Sequence, residues 1–211
     1  MTNENISVVI TATPVIIAAF TFIFGINAWR REFIGRRRIK LAEGTLALFY
    51  EAQAAIRAIR NPFGYVGEGT NRKRSEKESE EEPTILSIIN ERYEKTEKIF
   101  SKLRSKKCRF MATFRPDTAD SFDEMNRIIN EIFSACRNIA TCYKNKSKCS
   151  DPDQVDKYDN KIEKMDDIVH QYESDDEISR RVQTAIDKIE KIVQQESSKN
   201  RKSFFRFLSL S

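Results

Sequence analysis

Residues 6–28 of this 211-residue chain read ISVVITATPVIIAAFTFIFGINA and carry no charge, although charged side chains make up 33% of the whole. A helix of that length, rising about 1.5 Å per residue, crosses a hydrocarbon core of about 30 Å. Pro14 is compatible with this reading, because transmembrane helices tolerate proline. Trp29 follows at the end, where an amphipathic ring favours the headgroup layer. The competing reading is a cleaved signal peptide, which needs a basic n-region and a shorter apolar core. The segment MTNENIS has no basic side chain.

The flanks orient the expected span. No Lys or Arg precedes it, and WRREFIGRRRIK follows it. The positive-inside rule then places the N-terminus outside and the remainder at the cytoplasmic, inner face of the membrane. The flank also accounts for the charge balance. Arg30, Arg31, Arg36, Arg37, Arg38 and Lys40 stand against Glu32 alone, which equals the formal net charge of +5. A second basic group, Lys199, Arg201, Lys202 and Arg206, sits near the C-terminus, and the body between is slightly acidic. A nucleic-acid-binding surface spreads its cations over a folded face, so the basic pI points to anionic lipid and no nucleic-acid partner is expected.

Small residues recur within the apolar run at Thr11, Pro14, Ala18, Thr21, Gly25 and Ala28. Alternating steps of three and four place them on one stripe, where helix backbones approach closely in lipid. The expectation is a packing stripe for self-association.

Beyond the flank the pattern is helical throughout, and scarce Gly and Pro suit long helices. The expected fold is all-α: a short N-terminus (1–5), a transmembrane helix (6–28), a basic juxtamembrane segment (29–40) and an elongated antiparallel bundle with coiled-coil-like hairpins. Helix one spans 41–61, with Leu41, Leu48, Phe49, Ala52, Ile56 and Ile59 on one face and a stop before Pro62. A flexible charged loop covers 62–83. A hairpin occupies 84–145. Its first helix ends at Arg115-Pro116, and a capping box, Ser121-x-x-Glu124, marks the second start. A loop (146–152) leads to Asp151-Pro152, an N-cap with Pro at the first helical position. The second hairpin fills 153–196, its second helix started by Ser174-x-x-Glu177. Residues 197–211 form a basic-aromatic tail, in which Phe204, Phe205, Arg206, Phe207 and Leu208 are suited to a membrane surface or a partner groove.

Motifs for chemistry are missing. His170 is the single histidine, which excludes paired Glu-x-x-His metal sites. Cys108, Cys136, Cys142 and Cys149 form no C-x-x-C pair and are expected to be reduced thiols. Gly64, Gly67 and Gly69 lack the strand and the Gly-Lys-Ser/Thr of a phosphate loop. Glu124, Asn126, Arg127, Asn130 and Glu131 form a polar cluster on one helix, read as a solvated flank with local salt bridges. Arg57, Arg60 and Tyr65 surround the Pro62 bend without a distinguishing pattern.

No catalytic residue, cofactor, metal or small-molecule substrate is expected. The leading expectation is a single-pass anchored interaction or scaffolding module, its partners being membrane lipid and either another protein or a second copy. A membrane-active, pore-forming oligomer is the alternative. An enzyme or ligand sensor with an inter-helix pocket ranks below both.

Overall fold

The computed structural model describes residues 3–65, 68 and 85–208; for 3–13, 15, 16, 19, 20 and 200–208 the description is of the backbone alone. Among these residues there are five α-helices, a single 3-10 turn and no strand. They are α1 (Asn3–Ile59), α2 (Ile85–Thr113), α3 (Ala119–Lys146), α4 (Pro152–Val169) and α5 (Glu177–Leu208), with the 3-10 turn at Pro116–Thr118 between α2 and α3. Two units result: residues 1–41 with 193–211, and residues 42–192.

The all-helical expectation holds, and most helix ends fall where the local chemistry put them. α1 ends at Ile59, ahead of Pro62, and α2 ends just before Pro116. Asp151 caps α4: its Oδ1 accepts from the Asp153 N–H at 3.1 Å, with Pro152 at the first helical position. Both capping boxes fail. α3 begins at Ala119, so Ser121 lies buried inside the helix. α5 is capped by Asp176, whose Oδ1 accepts from the Ser179 N–H at 2.7 Å. A carboxylate directly before the helix reaches the third N–H better than the more distant Ser174 does. α5 also runs on through the expected tail to Leu208.

Among the described residues, no helix is long and apolar enough to cross a membrane. The expected span at 6–28 is therefore not an observed feature. Of its first fifteen residues, only Pro14, Ile17 and Ala18 have described side chains.

The core of the 42–192 unit follows from helical periodicity. Ala42, Leu48, Phe49, Ala52, Ala55, Ile56 and Ile59 are buried along α1, and Phe122, Met125, Ile129, Ile132, Cys136 and Ile139 along α3. Ile89, Phe100, Leu103 and Phe110 of α2 and Ile178, Val182, Ile186 and Ile189 of α5 complete it. An aromatic cluster joins three helices. Phe122 meets Phe49 edge-on at 5.1 Å and Phe110 at 5.5 Å, and Phe114 lies 4.5 Å from Phe110. α4 packs beside α3 but fully buries only Val169. Its stripe is a partly exposed cover, not one side of an enclosed core.

Candidate functional site

In the unit formed by residues 1–41 and 193–211, α1 runs through Pro14 and stays helical. Ile17, Phe22, Ile23, Phe24, Ile26 and Trp29 are all exposed, Phe22 at 69% and Trp29 at 66%. Ala18, Thr21, Phe22, Gly25, Ile26 and Trp29 line a shallow, open, apolar groove. Within the small-residue stripe, Pro14, Ala18, Thr21 and Gly25 are exposed and Ala28 is half-buried. The side chain of Thr11 lies outside the described residues. A Cβ at Gly25 would meet no atom within 4 Å. The chain's own packing therefore does not require glycine there. Thr21 turns its hydroxyl back to the Ile17 carbonyl at 2.8 Å, which satisfies it within the helix.

The basic flank follows, and its cations are not equivalent. Trp29 stacks on Phe33 at 5.6 Å, and the Arg37 guanidinium lies 5.6 Å from the Phe33 ring centre. Arg36 pairs with Glu32 at 2.5 Å on the surface. Arg38 donates to Glu196 of α5 at 2.7 Å, and Lys199 joins the same carboxylate at 3.0 Å. The Arg38 hydrogen bond holds Glu196 below the usual carboxylate range, against its burial. Arg30, Arg31 and Lys40 are exposed. The side chains of Phe204, Phe205, Arg206, Phe207 and Leu208 lie outside the described residues, although their backbone is helical.

In the 42–192 unit the notable polar groups are buried arginines. Arg92 spends every N–H. It grips Glu68 through two bonds of 2.8 Å and donates to the carbonyls of Ile59, Asn61 and Phe63 at 3.1, 2.5 and 2.9 Å. Those carbonyls lie at and just beyond the C-terminal end of α1, where helices leave acceptors unpaired. The pairing holds Glu68 below the usual carboxylate range. The first part of the expected loop is thus tied down; residues 66, 67 and 69–83 lie outside the described residues.

Arg60, fully buried, serves the end of α4. It donates to the carbonyls of Ile168, Asp167 and His170 at 2.8, 2.8 and 3.0 Å and lies 2.6 Å from Asp176. Burial raises the Asp176 pKa, but Arg60 and Ser179 outweigh it and leave the carboxyl below its ordinary value. Arg181 bridges Glu124 and Glu131, at 2.8 Å each, and Arg127 also reaches Glu124. The expected solvated flank is therefore partly a tie between α3 and α5. Asn126 is half-buried and Asn130 exposed.

His170, the single histidine, caps α4 and contacts Asp166 at 2.8 Å. Tyr172 donates to the same carboxylate at 2.5 Å, which pushes its pKa up to about 12. Among the described residues no three His, Cys, Asp or Glu side chains converge on a metal-sized site. Burial raises the Cys136 thiol to about 11, which makes it a poor nucleophile.

Sequence reasoning missed Arg92, Glu68, Arg181 and Glu196 as ties. Only Asp176 carried a local signal, an acid placed directly before an apolar helical run. No family model, curated protein or solved structure matches the chain.

Proposed function

We propose that this chain is a membrane-anchored interaction protein: residues 6–28 insert in the bilayer, and the helical body at the inner face binds a protein partner or a second copy. The observation that carries the reading is the exposure of Ile17, Phe22, Ile23, Phe24, Ile26 and Trp29 along α1. A contiguous exposed patch of that character marks a membrane or partner contact. The uncharged sequence of 6–28 and the cations that follow supply length and orientation. A pore has less support. Residues 14–28 hold no ionisable side chain, and Thr21 satisfies its hydroxyl on its own helix.

Alkaline carbonate extraction of membranes, followed by flotation, tests the anchor. Retention in the floating fraction is expected, and release into the soluble fraction would sink the reading. Protease added to sealed, right-side-out vesicles should leave the body intact. Crosslinking within the membrane should then capture a stoichiometric partner or a dimer.

A further inference from the structure

The exposed face of α1 changes character in a fixed order along the helix. Phe22, Trp29, Phe33 and Lys40 follow one another at steps of seven, four and seven residues, so they share one stripe, with Arg37 a single turn beyond Phe33. Each of these five is exposed. Arg38 lies on the other side of the helix, where Glu196 of α5 holds it. The covered side of α1 is thus the α5 side, and the stripe is left bare.

We propose that this stripe is a contact face for anionic lipid headgroups, with Arg37 as the principal cation and Lys40 as its second. The proposal rests on the membrane reading above. In a helix, side chains lean toward the N-terminus, and the Arg37 guanidinium does so, lying over the Phe33 ring. Phe33 is one turn beyond Trp29, so the charge sits only about 6 Å along the axis from the indole. That distance matches the thickness of a headgroup layer, roughly 5–8 Å on each side of the hydrocarbon. With Trp29 at the hydrocarbon boundary, Arg37 meets lipid phosphate and carboxylate. Arg36 shares the stripe but is already neutralised by Glu32.

A second copy is the competing occupant, and charge disfavours it. Two copies anchored with the same orientation in one membrane run parallel, so a two-fold pair built on this face sets Arg37 and Lys40 against their own counterparts. Anionic lipid relieves that charge instead.

Trp29 is the only tryptophan in the chain, so its fluorescence reports this face alone. The full chain is reconstituted in mixed phosphatidylcholine–phosphatidylserine vesicles, with bromine on one lipid or the other at equal mole fraction. Brominated phosphatidylserine is expected to quench Trp29 about twofold more strongly than brominated phosphatidylcholine. The preference should vanish in the Arg37→Gln/Lys40→Gln variant and in about 1 M salt, where charges are screened beyond about 3 Å. It should persist in Arg31→Gln, which removes an exposed cation off the stripe. Equal quenching by the two lipids would overturn the lipid site while leaving the anchor intact. Equal loss of preference in Arg31→Gln and the double variant would do the same. Trp29 quenched by neither lipid, in a chain that still resists an alkaline wash, would assign the face to a second copy. Release of the chain by the alkaline wash would overturn the anchor and the lipid site together.

Discussion

The two halves of α1 use the same helix in opposite ways. Between Ile17 and Ile34 the described large apolar side chains point outward in several directions and are exposed; between Ala42 and Ile59 a stripe of Leu48, Phe49, Ala52, Ala55, Ile56 and Ile59 is buried while Tyr50 faces outward. The presence of apolar residues does not separate the halves, because the first is rich in Ile and Phe and the second in Ala, with Leu and Ile. Arrangement does. An apolar stripe beside polar neighbours buries itself against other helices. A helix apolar on all sides has no such preferred partner within a small bundle. The difference also governs where polar side chains settle. In the second half they become specific ties, such as the Arg92 and Arg60 networks, whereas in the first half the exposed cations Arg30, Arg31 and Lys40 follow the apolar run.

Substitutions at five positions break or sharpen this contrast. The largest effect is expected from Phe49→Ala. It opens a cavity where three helices meet and should cost about 3–5 kcal/mol in chemical denaturation of the body. Phe22→Ala, the same change in the bare half, should leave the denaturation midpoint of the body within about 0.5 kcal/mol. If both variants lose comparable stability, the contrast between the halves is wrong.

Arg92→Ala comes next. It strands Glu68 and three carbonyls in a buried setting and should cost about 3 kcal/mol or more. Arg92→Lys should recover little of this, since an ammonium lacks the planar fork that serves five acceptors. The pH dependence follows from the same pairing. Glu68, Asp176 and Glu196 titrate below their ordinary values in the folded chain. Their stabilisation is therefore complete above the ordinary carboxylate range and is lost as pH falls through the lowered folded values. A thermal midpoint that is flat from neutrality to about pH 5 and then declines is expected, with a shallower decline in Arg92→Ala. A midpoint that rises on acidification would contradict these pairings.

Asp176→Ala removes both the cap of α5 and the carboxylate beside Arg60, for an expected loss of about 2–3 kcal/mol. Asp176→Asn keeps an acceptor at the cap and should lose roughly half as much. If Asn and Ala behave alike, the charge beside Arg60 is the main contribution. Among the substitutions expected to destabilise the body, the smallest effect belongs to Asp151→Ala at the exposed start of α4, about 1 kcal/mol by the same denaturation measurement.

Much of the fold was legible because its determinants are local. Proline at 62, 116 and 152 bounds helices through a missing N–H and a steric clash. The buried positions of α1, α3 and α5 repeat at three and four, a period visible in any linear string. The errors were local signals with stronger competitors. Ser121-x-x-Glu124 fits a capping box, but Glu124 is drawn to Arg181 of α5 and the helix starts earlier. The tail after Glu196 looked like a departure from helix, yet its low Gly and Pro content let α5 continue.

By itself, then, the sequence determined the all-helical class, the helix ends at proline, the core stripes and the uncharged run at 6–28. Each depends on residues a few positions apart, where backbone sterics and helical periodicity act. Only the tertiary structure decided which cations are available. Arg60 and Arg92 look like any surface arginine in the string, but each reaches carbonyls brought within about 3 Å by folding. Arg37 and Arg38 are adjacent in sequence, yet one lies over an exposed ring and the other is held by a carboxylate 158 residues away. Electrostatic attraction and hydrogen bonding act through space, so the role of a charge follows from its neighbours in the fold and not from its neighbours in the chain.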